Sequence, residues 1–159
     1  MSGTSIDSEK RADAVTITAL RVMVGVVMAV HGAMKLMDIP GTAEGFAHLN
    51  IPYPQYAAYL AIAGEFFGGI GLAVGLLTRV AALGTLCSMA VAIGYVHIGH
   101  GLLAKNGGWE YPAVLALVAL FFVTHGAGPA SLDAFFARKY DARRGNARRY
   151  RERRVSSYA

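Results

Sequence analysis

YAAYLAIAGEFFGGIGLAVGLL, residues Tyr56 to Leu77, is apolar over the roughly 20 residues that a helix needs to cross a bilayer, apart from one carboxyl near its middle, Glu65. An ionisable group at such a depth is costly, faces the interior of a bundle and is normally paired. The stretch therefore reads as a membrane span whose polar partner sits on a neighbouring helix, and Glu65 becomes the residue to explain. Gly64 and Gly68 are four apart, as are Gly71 and Gly75, a spacing that lets helix backbones approach closely where lipid supplies no hydrophobic drive. This places the span at the centre of the bundle, with Gly68 and Gly71 on its packing face, whereas Gly25 of the preceding span is expected to face lipid.

Three further apolar stretches flank it, so the expected spans are residues 15–37, 56–77, 79–100 and 111–128. The fold class is an all-α membrane protein, a four-transmembrane-helix bundle with a basic cytoplasmic C-terminal tail. A hydrophobic content of 55% and a mean hydropathy of +0.42 exclude an ordinary soluble domain. The expected organisation is a polar N-terminal segment over 1–14, the membrane domain over 15–133, and an interfacial or disordered tail over 134–159. The first apolar run is longer than a signal-peptide core and lacks a small-x-small cleavage pattern, so it reads as an uncleaved span. Pro40, Pro52 and Pro54 make residues 38–55 a structured connection rather than another span, and Leu77, Thr78 and Arg79 leave room only for a tight antiparallel hairpin.

Lys and Arg set the orientation. Lys10 and Arg11 precede the first span, Arg79 lies in the tight turn, and a run of cations follows the fourth, which predicts that both termini are cytoplasmic. The tail then reads as a polybasic segment on anionic lipid through Arg143, Arg144, Arg148 and Arg149, with Leu132, Phe135, Phe136 and Tyr140 spaced to enter the interface. A solvated, disordered tail beyond Gly145 is the alternative. Nucleic acid is not an expected partner, because the arm carries no binding module.

At about 1.5 Å per residue, His31, Lys35, His97, His100 and Glu110 fall toward the outer end of the spans and Glu65 about 14 Å inside it. Glu65, Lys35, His31, His97 and Glu110 are therefore candidates for one outward-opening pocket. Lys35 has a plain alternative as a snorkelling cation, and Glu65 as a protonated carboxyl hydrogen-bonded within the bundle. In the functional reading Glu65 exchanges a proton with a hydroxyl of a reduced quinone. Arg21, Arg79 and Asp133 gather toward the inner end as candidates for a structural ion pair. His31, His97 and His100 make a haem or metal site conceivable, but no HExxH motif or cysteine cluster accompanies them, so no metal is expected and haem is disfavoured. Cys87 is the only cysteine, which leaves any sulfur redox chemistry to another protein. Trp109, Tyr111, Tyr53 and Tyr56 suit an aromatic belt.

At these same residues the chain resembles a family. His31-Gly-Ala-Met-Lys35-Leu, Glu65 followed by Gly68, Gly71 and Gly75, Thr78-Arg79, Gly108-Trp-Glu110-Tyr-Pro, and Gly126-Ala-Gly128-Pro-Ala-Ser131-Leu-Asp133 are similar to the DoxX family of small four-helix membrane proteins, over about Leu20 to Asp133. The resemblance implies a bundle in the bacterial inner membrane, associated with membrane oxidoreductases, including a thiosulfate-to-quinone branch, and with oxidative stress. It singles out Arg21, His31, Gly32, Lys35, Glu65, Arg79, Glu110, Ser131 and Asp133, while Ala130 departs from the larger residue common there.

The expectation for function is an accessory subunit of a quinone-linked oxidoreductase or oxidative-stress system, working with a soluble redox enzyme. An autonomous enzyme is not expected, since the chain has no motif for a two-electron carrier, and no residue is assigned as catalytic. A quinone is the expected small-molecule partner, with no tightly bound cofactor, and homo-oligomerisation stays open. The alternatives are a membrane scaffold recruiting cytoplasmic partners and a small transporter of protons or organic acids.

Overall fold

The computed structural model describes the backbone of residues 3–156 and the side chains of residues 6–145. The side chains of Arg148 and Arg149 thus lie outside the described residues. Seven α-helices account for most of the described chain: α1 (Gly3–Met37), α2 (Ile39–His48), α3 (Pro54–Ile62), α4 (Gly68–Val74), α5 (Thr78–Val91), α6 (Glu110–His125) and α7 (Leu132–Ser156). A π-helical segment, Ala63–Phe67, joins α3 and α4 into one rod, and a second, Ala92–His97, extends α5.

Three rods are long and apolar enough to cross a membrane: Ile6–Met37, of 32 residues, Pro54–Val74, of 21, and Thr78–His100, of 23. The chain is therefore a membrane protein. The fourth expected span, α6, is apolar but has 16 residues, about 24 Å of helix against a hydrocarbon core of about 30 Å. It stops at His125 instead of running to 128 because Gly126 takes a φ of 78°. The second rod likewise ends at Val74 rather than Leu77. Gly75, at φ 72°, turns the chain, and its N–H and that of Leu76 close back on the carbonyls of Leu72 (3.1 Å) and Gly71 (2.8 Å). The connection over 38–55 contains α2, whose first turn is capped by the Asp38 carboxylate accepting from the Gly41 N–H at 2.9 Å.

The rods pack in the order α1, α4, α5, α6 around Val24, Met28, Leu72, Ala81, Ala82, Met89, Leu115 and Phe122. Glycine sets how closely they meet, and here the expectation for Gly25 fails. It is buried at the crossing of α1 and α4, where an added Cβ would lie 2.7 Å from the Gly69 carbonyl oxygen and directly on the Ala73 backbone nitrogen. On the other side of the same rod, a Cβ on Gly64 would lie 2.8 Å from both the Gly84 carbonyl oxygen and Ser88 Oγ. The second rod is thus pinched from two sides. A count of glycine spacing within one helix identifies its own smooth face, but not the glycine on a partner that meets it.

Candidate functional site

Gly32 lets the end of α1 lie against the π-helical segment: a Cβ there would fall 2.6 Å from Phe66 Cα. One turn further on, Lys35 Nζ donates to Glu65 Oε2 at 2.5 Å. The π segment widens the helix by one residue at the position of Glu65, a distortion often found at functional sites. Glu65 is 5% exposed, whereas 24% of the Lys35 side chain remains accessible. Among the described residues this is the single ion pair between a Lys or Arg and a carboxylate, and Lys35 is the one hydrogen-bond partner of the Glu65 carboxylate. The ammonium has further N–H groups to offer, and the carboxylate a second oxygen.

Lys35 lines an open cleft of about 310 Å³ together with His31, Met34, Asp38, Gly41 and Thr42, while Glu65 sits behind it and is not part of the lining. His31 and Lys35 are four apart and present one face of α1 to it. A larger groove of about 610 Å³ lies between α2 and α3, with Glu44 and Gln55 as its polar lining among apolar residues such as Ile39, Ala43, Pro54 and Tyr59. Its one charged lining residue, Glu44, is exposed and meets only the exposed His48 at 3.9 Å, so the smaller cleft, with the buried partner behind Lys35, is the better candidate for polar chemistry.

His97 and Glu110 were expected in the same pocket and are used differently. His97 Nδ1 bonds to the Gly107 carbonyl at 2.7 Å, and the Glu110 carboxylate accepts from the Ala104 N–H at 2.6 Å. Both fasten the loop between the third rod and α6, which Trp109 N–H to Gly101 O (3.1 Å) and Glu110 N–H to Leu102 O (3.0 Å) also close. Among the described residues no hydrogen bond or ion pair links them to Lys35 or Glu65. The conceivable cluster of His31, His97 and His100 is not assembled either: His100 lies beside Gly107, and among the described residues no three His, Cys, Asp or Glu side chains are grouped to hold a metal ion.

At the opposite end, Arg21 is 2% exposed and donates to the carbonyls of Leu72 (2.6 Å), Ala73 (2.9 Å) and Ala130 (2.7 Å). The Asp133 carboxylate accepts from the N–H groups of Leu77 (2.8 Å) and Thr78 (2.9 Å), and Arg79 reaches the Thr124 carbonyl at 3.2 Å. The expected ion pair among Arg21, Arg79 and Asp133 is therefore absent from the described residues. The reason is local: the end of α4 presents carbonyls that can still accept, the start of α5 leaves N–H groups, and each charged side chain meets the helix terminus of opposite partial charge. The arginine uses the backbone of Ala130, so the small side chain there costs it nothing. Sequence reading missed this use of carbonyls, since spacing between charged residues suggests pairs and carries no trace of a backbone acceptor.

Burial opposes ionisation of Asp133, but the hydrogen bonds from Thr78 and Leu77 and the charge of Arg21 outweigh it and hold the carboxyl below its ordinary value of 3.8. A carboxyl depressed on folding contributes stability that is full above its unfolded value and lost as pH falls through the folded one. In detergent, the stability difference between the wild type and Asp133→Asn is accordingly expected to be constant above about pH 4 and to shrink in stronger acid. A difference independent of pH across that range would show that the charge of Asp133 does not stabilise the fold.

The model of the DoxX family matches residues 16–98, which takes in the second rod, most of the first and third, and both members of the Lys35–Glu65 pair, but not Glu110, Ser131 or Asp133. An uncharacterized protein of Haemophilus influenzae is 35% identical over 126 residues, covering 76% of this chain and 90% of that protein. A Bacillus subtilis protein named "Putative oxidoreductase CatD" is 28% identical over 73% of this chain and 83% of its own. The Escherichia coli "Inner membrane protein YphA" is 27% identical over 75% and 89%. No solved structure matches. With a family match over more than half its length, carried by the helices that build the cleft, the chain belongs to the DoxX family.

Proposed function

We propose that this protein is an accessory subunit of a quinone-linked oxidoreductase, crossing the bacterial inner membrane four times with both termini in the cytoplasm. The observation that carries the reading is the Lys35–Glu65 pair, held at 2.5 Å in an apolar bundle, whose lysine lines an open cleft. Its remaining donors and its second carboxylate oxygen match the hydroxyl and carbonyl oxygens of a quinol and quinone. As the two O–H bonds of the quinol break, Glu65 takes the two protons one after the other, Lys35 keeps the carboxylate in place, and His31, which lines the same cleft, passes each proton on to water before the next is taken. The electrons leave the quinol ring for the redox cofactor of a partner enzyme, since this chain's residues supply only the proton path. The word oxidoreductase in the name of the B. subtilis relative and the inner-membrane location in that of the E. coli relative support the reading. For α6, flanking loops make up the short length of helix.

The test is binding of a quinone analogue to purified protein as a function of pH, in wild type and in Glu65→Gln. The amide still accepts a hydrogen bond from Lys35, so the variant is expected to fold and to bind with its pH dependence abolished. A wild type that binds no quinone at any pH, or a Gln variant with an unaltered profile, would overturn the proposal.

A further inference from the structure

The helix that follows the bundle has no use in the proton chemistry, and its surface is unusual for one that meets water on all sides. Leu132, Phe135, Phe136 and Tyr140 of α7 are all exposed. They recur at intervals of three and four, which lays them along one stripe of the helix. Lys139 and Arg143 lie in the middle of that stripe one and two turns further on, while Asp141 falls on the opposite side. Arg144 covers the Tyr140 ring at 5.3 Å. Arg138 reaches back to the Pro129 carbonyl at 3.3 Å, but α7 makes no extended packing against another helix among the described residues.

That first turn is bolted to the end of the membrane rods. Ser131 Oγ donates to the Gly128 carbonyl (2.8 Å) and accepts from the Ala134 N–H (3.1 Å), the Asp133 N–H donates to the Gly75 carbonyl (2.8 Å), and the Asp133 carboxylate holds the turn leading into α5. The aromatic stripe therefore starts where the second and third rods meet their tight turn, at one membrane face.

We infer that α7 is an interfacial helix docked on anionic bilayer, with its Leu132–Tyr140 stripe in the headgroup boundary and Arg138, Lys139, Arg143 and Arg144 on the lipid phosphates. Among residues 132–145 these four cations face two acids, of which Asp133 is already engaged by the backbone, so the complementary surface is negative. Aromatic residues beside cations on a helix fastened to the end of membrane-spanning rods suit a headgroup layer. Lys139 and Arg143 fit this geometry because their apolar stems lie along the stripe while their charges reach the phosphates. The inference does not depend on the quinone reading.

The experiment uses the full chain in a Cys87→Ser background, with single spin labels introduced as Phe136→Cys, Lys139→Cys, Ala137→Cys and Asp141→Cys. The protein is reconstituted in vesicles of phosphatidylcholine and of phosphatidylcholine mixed with phosphatidylglycerol. In the mixed vesicles, labels at 136 and 139 are expected to be reached by oxygen in preference to a water-soluble nickel complex, and labels at 137 and 141 the reverse. Adding Arg143→Gln and Arg144→Gln should reduce or abolish that contrast. Equal access at all four positions in the mixed vesicles would place the helix in water and overturn the inference. So would labels at 136 and 139 that exclude both reagents, as a second copy or a protein partner would make them do. An unchanged contrast in pure phosphatidylcholine would remove the anionic class of lipid.

Discussion

Glu65→Leu is expected to lower the unfolding free energy by about 3 kcal/mol or more, the cost of leaving a partly buried cation without its counter-charge. Lys35 remains 24% accessible, which puts the effect at the lower end of the range for buried pairs. Glu65→Gln should cost less, about 1 to 2 kcal/mol, because the amide still accepts from the ammonium. The decisive comparison is the double variant Lys35→Met with Glu65→Leu. Replacing both charges with apolar groups of similar volume removes the unpaired ion, and most of the lost stability should return. Denaturation in detergent measures these variants beside the wild type and the single variant Lys35→Met, which completes the cycle. If the double variant is as unstable as the sum of the singles, the pair is not an energetic unit, and the cleft beside it loses its best reason to be read as a proton site.

Gly25→Leu should be among the most damaging single changes to the fold. An added Cβ falls 2.7 Å from the Gly69 carbonyl oxygen and on the Ala73 backbone, and neither can move without shifting α4 as a whole. Overpacking that flexible side chains can absorb costs about 1 to 3 kcal/mol, and a clash between two backbones exceeds that range. Gly68→Leu begins milder, since the nearest atom to its Cβ is the Ala81 carbonyl oxygen at 3.1 Å, and at Gly45 in α2 nothing lies within 4 Å. Thermal unfolding is expected to rank the losses Gly25→Leu, then Gly68→Leu, with Gly45→Leu near the wild type. Equal midpoints for Gly25→Leu and Gly45→Leu would refute the close crossing.

The sequence by itself determined the environment and the helical class, because the free energy of placing an apolar stretch in lipid is nearly a sum over its residues. It also marked Glu65 and Lys35, since a charge inside such a stretch stands out from its neighbours without any knowledge of contacts. Rod ends were legible only to within a few residues: Gly75 and Gly126 stop the second rod and α6 early by taking a left-handed φ, which composition does not reveal. What only the tertiary structure decided were the partners. Depth along a helix placed His97 and Glu110 level with Lys35, but their hydrogen bonds go to the backbone of the loop that follows the third rod. Arg21 and Asp133 likewise share one end of the bundle without pairing, because carbonyls at the end of α4 and N–H groups at the start of α5 lie within reach. Burial is a property each residue carries along the chain, whereas a partner is set by how helices rotate and cross, and that rotation is decided by backbones meeting at glycines such as Gly25 and Gly69.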